Sequence, residues 1–93
     1  SEDVRVRPAT GSERAAVANV IDGAGLELDD DVLVAAIQNG AALVAVTGDD
    51  ERVLGALVLD DDRIRAVAVR PNRRGQGIGT RLVEAAAERR DRL

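Results

Sequence analysis

Apolar and polar positions alternate at the start of the chain. In "VRVR", Val4 and Val6 are separated by Arg5 and Arg7, which suits a strand solvated on one face, and Pro8 then ends it, as expected of an outer strand. The period then lengthens. Val17, Val20, Ile21 and Ala24 recur at helical spacing, with Ser12 as the expected cap and Gly23 and Gly25 as the stop. Leu33, Ala36 and Ile37 mark a second short helix, capped by Asp29 or Asp30 and closed by Gly40 in the position of a left-handed C-terminal cap. Three runs rich in β-branched residues follow: "ALVAVT" (42–47), "RVLGALVL" (52–59) and "RIRAVAVR" (63–70). Separated by "GDDE" and "DDD", they predict an antiparallel meander. In the second and third runs residues of both parities are apolar, so both faces should be covered by helices. Finally Ile78, Leu82, Ala85, Ala86 and Leu93 line one side of a helix that starts directly out of a glycine run. The order strand, helix, helix, three strands, helix predicts an α+β (mixed α/β) fold around a mainly antiparallel sheet.

Composition narrows this picture. A chain of 93 residues without cysteine, histidine or long internal repeats implies one domain, residues 1–93, with no disulfide and no obvious metal site. No apolar run is long enough to span a bilayer, and "SEDVRVRP" lacks a signal peptide's hydrophobic stretch, so a cytoplasmic protein with no membrane partner is expected. Because Phe, Tyr, Trp and Met are absent, the core must be built from Val, Leu, Ile and Ala.

The charge is uneven. Residues 1–62 carry a net −10 and residues 63–93 a net +6, so the C-terminal third should attract anions unless the two parts neutralise each other in the fold. All 13 basic residues are arginine, and acids cluster at 29–31, 49–51 and 60–62. This usage looks halophile-like, or like that of a GC-rich genome, while each acidic cluster also sits where a turn or cap is needed.

The glycine run, "RPNRRGQGIGTRL", carries the chemistry. A strand end at Arg70, a turn at Pro71 and Asn72, and glycines at 75, 77 and 79 leave successive backbone N–H groups unblocked at the positive end of a helix, a cradle for phosphate. Arg73, Arg74 and Arg81 add charge, and Thr80 can donate its hydroxyl. The spacing is not the dinucleotide fingerprint, and a chain without lysine has no Walker-type loop. The plainer alternative is a flexible turn whose arginines are merely solvated.

"RRGQGIGTRLVEAA", preceded by "AVAVRPN", resembles motif A of the GCN5-related N-acetyltransferases, met here by Arg74, Gly77 and Gly79. "VRVRPATGSERAAVANVI" is similar to the usual start of that family, and the order of elements agrees over essentially the whole chain. The resemblance implies acetyl-CoA as co-substrate, its pyrophosphate on Arg74, Gly75, Gln76, Gly77, Ile78, Gly79 and Thr80. It also implies a pantetheine arm along the main chain of Val67, Ala68 and Val69, with a backbone N–H near Val69 polarising the thioester carbonyl.

Two departures from the family pattern bear on activity. Its usual carboxylate base and tyrosine acid are missing: "RIRAVAV" holds no carboxylate, the chain holds no tyrosine, and no catalytic residue is assigned. Glu51 and Asp60, Asp61 and Asp62 could act only through water. The family's usual C-terminal strand, helix and two strands also do not follow the last helix, so an unpaired strand edge is expected at Val67 and Val69, and three readings stand open: a truncated product, a homodimer that completes the sheet, or a weak CoA binder without transfer. The expected function is transfer of an acetyl group from acetyl-CoA to a primary amine, with a noncatalytic CoA-binding module as the alternative. Nucleic acid is not an expected partner, since no aromatic can stack on bases and the overall balance is acidic.

Overall fold

The computed structural model describes residues 4–60, 63–73 and 75–91. Along the chain come β1 (Val4–Pro8), α1 (Arg14–Gly23), α2 (Asp30–Gln38), β2 (Ala42–Thr47), β3 (Arg52–Asp60), β4 (Arg63–Val69) and α3 (Ile78–Asp91). Single 3-10 turns precede α1, at Gly11–Glu13, and α3, at Pro71–Arg73. The strands form one sheet in the order β1-β2-β3-β4, every neighbouring pair antiparallel. The element order and the α+β class match the sequence pattern. No helix among the described residues is long and apolar enough to cross a membrane.

Side-chain alternation sorts the sheet into two apolar layers. Val44 and Val46 of β2, Val53, Ala56 and Val58 of β3, and Ala66 and Ala68 of β4 meet α1 and α2 through Val17, Val20, Ile21, Leu33 and Ala36. On the other face Leu43 and Ala45 of β2 and Leu54, Leu57 and Leu59 of β3 meet Ile78, Leu82 and Ala86 of α3. Leu43, Leu54, Leu57 and Leu82 are among the largest fully buried side chains. Each contributes about 1.5–3 kcal/mol relative to exposure. An exposed ion pair such as Arg14–Asp30, at 2.7 Å, contributes at most about 1 kcal/mol. Apolar packing therefore fixes the helices on the sheet.

Helix ends follow the glycines. At Gly25 (φ +78°) and Gly40 (φ +71°) the chain turns left-handed, which costs a glycine little. Gly25 N–H donates to Asp22 O and Leu26 N–H to Ile21 O, while Gly40 N–H donates to Ile37 O and Ala41 N–H to Ala36 O. Both are Schellman closures of the last turn. Asp29 occupies the N-cap position of α2, although its carboxylate makes no capping hydrogen bond. At the start of α1 the cap is not Ser12. The turn opens at Thr10, whose N–H donates to Glu13 Oε1 at 2.9 Å, while Glu13 N–H donates to Thr10 O at 2.9 Å. Glu13 wins because Arg7 holds its carboxylate in place with two bonds, Nη1 to Oε1 at 2.8 Å and Nη2 to Oε2 at 2.6 Å.

This fork draws the Glu13 carboxyl down to about 2, chiefly through the hydrogen bonds from Arg7 and against the cost of partial burial. A carboxylate with a lowered folded-state value adds stability above its unfolded value of about 4.3, and that contribution fades as the pH falls toward about 2. Glu13→Gln should therefore cost about 1–2 kcal/mol at neutral pH and flatten the loss of stability below pH ~4.5, which urea unfolding at several pH values would measure.

The sheet departs from regular pairing twice. Ala45 faces Gly55 while Val46 faces Val53, so Leu54 is an extra residue in β3, and Val58 faces Ala66 while Leu59 faces Ile64, so Arg65 is extra in β4. The first bulge lets α3 approach closely at Gly55, where an added Cβ would lie 3.0 Å from Ala68 O and 3.3 Å from both Ile78 Cγ2 and Leu82 Cδ1. Gly55→Ala should cost about 1–3 kcal/mol, since a backbone oxygen cannot step aside, and thermal unfolding would show it as a lower midpoint.

In β4 the expectation of cover on both faces is corrected. Ala66 and Ala68 are buried beneath the α1–α2 layer, but Ile64 and Val67, on the α3 side, are exposed. α3 packs on β2 and β3, and the residue of β4 that joins this layer is Val69, which is half-buried. β4 is thus an edge strand with one apolar face uncovered.

Candidate functional site

The glycine run leaves the sheet at the end of β4 and enters α3. Arg70 N–H donates to Leu54 O at 2.9 Å, and in an antiparallel pair main-chain groups alternate between the two sides. With Val69 opposite Gly55 and Val67 opposite Leu57, the N–H and C=O of Val67 and Val69 turn from β3 toward the outer edge. Those of Ala68 turn inward. The Arg70 side chain is also engaged, its Nε donating to Val53 O at 2.7 Å, and Arg73 N–H closes the following turn on Arg70 O at 2.9 Å.

Gly75 (φ +83°) and Gly77 (φ +80°) then turn the chain through left-handed conformations, and a Cβ at either would meet nothing within 4 Å. The requirement for glycine there is conformational, and the space beside both residues is open. α3 begins at Ile78, whose buried side chain anchors the first turn, and Arg81 N–H makes the first helical bond to Gly77 O at 3.0 Å. The N–H groups of Ile78, Gly79 and Thr80 come before any intrahelical acceptor. Among the described residues no loop or sheet carbonyl takes them. They gather at the positive end of the helix, which suits an anion. Gly79 is helical and half-buried, and its hypothetical Cβ would rest 3.8 Å from Val69 Cγ2, so the helix start lies against the end of β4. Gln76, Thr80 and Arg81 are exposed and Arg73 is half-buried.

The structure brings Gly75, Gln76, Gly77, Ile78, Gly79 and Thr80 together with Val69, with Val67 further along the same edge. Ala68 sits beside them with its side chain on the opposite face. Arg74 lies outside the described residues. Of the carboxylates considered as bases, Glu51 lies in the β2–β3 turn, at φ +52° and accepting from Arg7 Nη2 at 3.1 Å, while Asp60 ends β3 opposite Arg63, at the far end of β4. Asp61 and Asp62 lie outside the described residues. A cleft of about 430 Å³, lined by Val32, Ala35, Asn39, Leu59 and Asp60 among others, also lies at that far end. It is unrelated to the glycine loop.

The sequence pattern missed Gly55 and the local use of Arg70. Gly55 stands inside an apolar run, and its only mark was a glycine where a strand should hold a side chain.

The acetyltransferase (GNAT) domain family matches residues 28–93. Among solved structures, a GCN5-related N-acetyltransferase from Kribbella flavida superposes with a TM-score of 0.82 at 27% identity, covering 98% of this chain and 28% of that one. Rv2747 from Mycobacterium tuberculosis, solved with CoA, gives a TM-score of 0.77 at 31% identity over 90% of this chain and 55% of its own. N-acetylglutamate synthase from Neisseria gonorrhoeae shares the fold at 21% identity, with a TM-score of 0.72 over 96% of this chain and 23% of its own. The chain thus spans about a quarter to a half of the length of these proteins. No curated protein matches the sequence. With the family match covering the second helix through the glycine loop and α3, and the fold agreeing throughout, the chain belongs to the GNAT acetyltransferase family.

Proposed function

We propose that residues 1–93 form the coenzyme-binding part of an N-acetyltransferase that moves an acetyl group from acetyl-CoA to a primary amine. The observation that carries this is the convergence, in a member of this family, of left-handed glycines, the first N–H groups of α3 and the outer edge of β4 at one place. The donor set fits a diphosphate: the first N–H groups of α3 have no loop or sheet acceptor among the described residues, the space beside Gly75 and Gly77 is open, and Arg73 and Arg81 flank the run in sequence. The main chain of Val67 to Val69 offers an extended arm a strand-like partner. Acetyl-CoA, once bound, supplies the activated thioester. This chain's residues bind and orient it through main-chain groups, which need not reorganise as charge develops. Rv2747, the 31% identical relative, was solved with CoA.

A specific observation favours a second reading, a module that binds CoA without catalysing transfer. β4 carries no carboxylate, Glu13 and Glu51 are held by Arg7, and the chain has no Tyr, His or Cys to act as acid or base. Titration with CoA followed by amide chemical shifts tests the shared part; shifts that do not cluster at residues 75–80 would remove the site. Free-thiol release from acetyl-CoA with a panel of amines separates the two readings. Release with at least one amine is expected, and binding without any release assigns the module.

A second copy pairing along β4 would extend the sheet, and the absence of cysteine suits the cytoplasm. The acidic surface suits concentrated salt. Mass in solution at low and multimolar salt tests the dimer: a monomer at both rules it out.

A further inference from the structure

Both ends of the 71–77 loop are fastened to three consecutive residues of β3. At the entry Arg70 occupies two successive carbonyls, N–H on Leu54 O at 2.9 Å and Nε on Val53 O at 2.7 Å, and its own carbonyl accepts Arg73 N–H. At the exit Ile78 and Leu82 press on Gly55, where even a methyl group would meet backbone at 3.0 Å. The bulge at Leu54 places these features side by side, since the extra residue breaks the strand's alternation and sets Leu54 and Gly55 both toward α3.

We propose that the Val53–Gly55 bulge, with Arg70 hooked into it, is the element that sets the shape of the anion cradle, and that Arg70 is a positioning residue rather than an anion ligand. This rests on the coenzyme reading above. In sequence Arg70 is one more cation in a basic third. In the structure its Nε donates to a strand carbonyl, Val53 O, two residues before the close approach of α3 at Gly55. A cradle made of main-chain N–H groups works only if those groups converge, and convergence is set by where the loop begins and ends.

The two roles for Arg70 predict opposite rankings among substitutions. Glutamine carries an amide nitrogen at the same distance along the side chain as arginine Nε, without the charge. Lysine keeps the charge but places its nitrogen one atom further out, and methionine keeps the bulk alone. CoA affinity measured by calorimetry should fall about tenfold or more in Arg70→Met and in Arg70→Lys, and Arg70→Gln should restore most of the loss. The salt dependence of binding should keep its wild-type slope in all three, because no phosphate contact is removed. If Lys binds like the wild type while Gln and Met are equally weak, with a shallower salt slope, Arg70 is a charge contact and the proposal is overturned.

A ligand-free measurement keeps the proposal separate from the coenzyme reading. Amide shifts and hydrogen exchange at Gly75–Thr80 should change in Arg70→Met and return toward wild type in Arg70→Gln. If the wild type binds no CoA, the coenzyme reading fails, and this pattern alone decides whether Arg70 shapes the loop. Unchanged loop amides in folded Arg70→Met overturn it. Should Arg70→Met fail to fold, the contrast of Lys with Gln decides in the same way.

Discussion

Replacing Gly77 with valine is expected to weaken CoA binding about a hundredfold or more while leaving a folded protein. At φ +80° a β-branched residue is strained by about 1–3 kcal/mol, so the loop would swing toward an ordinary conformation and its N–H groups would no longer converge. The Cβ itself meets nothing within 4 Å, so the core is not disturbed and the loss falls on the ligand. Gly77→Asn separates strain from obstruction. Asparagine tolerates the left-handed region, so it should keep the loop's path and bind CoA better than the valine variant. Calorimetry on both variants, with thermal midpoints alongside, measures this. Equal affinity of wild type and Gly77→Val would show that the ligand does not use these amides.

Leu82→Ala should be the most damaging single truncation for the fold. Leu82 is fully buried between α3 and the sheet, in the same layer as Leu54 and Leu57, and its Cδ1 lies where Gly55 admits the helix. Removal of such a side chain costs about 2–5 kcal/mol, the upper part applying where neighbours cannot collapse into the gap. Here the β3 bulge is fixed by hydrogen bonds, so collapse is restricted. A domain of this length holds in total about 5–14 kcal/mol. The expected fall in thermal midpoint is therefore about 10–30 °C, and part of the population should be unfolded at 37 °C. A fall of only a few degrees in a scanning-calorimetry trace would show that α3 is held mainly by other contacts.

The sequence pattern was most legible where one local force dominates. Alternation of Val and Arg in β1, the helix stop at Gly25, the left-handed glycine at 40, and the helical spacing of Ile78, Leu82 and Ala86 each depend on near neighbours, and each appears where the pattern put it. The glycine loop was legible for the same reason. What escaped depends on partners distant in the chain. Thr10 opens the first helical turn because Arg7, itself paired with Glu51, fixes Glu13, so the nearer Ser12 is left exposed. The bulge at Leu54 hides in an uninterrupted apolar run, where an extra residue changes no polarity. β4 reads as a strand covered on both faces, yet whether Val67 is covered depends on where α3 lies across the sheet.

The two helical layers close both faces of the sheet over β2 and β3, so it can be extended only sideways. On the β1 side the strand is short, carries Arg5 and Arg7 and ends in Pro8, features that discourage further pairing. Growth is therefore directed to β4, and whatever lies along that strand draws on its outward main-chain groups, those of Val67 among them. An incoming strand, from this polypeptide or from another molecule, and the extended arm of a coenzyme would thus be rivals for the same hydrogen-bonding rail. Occupancy by one would report on vacancy by the other.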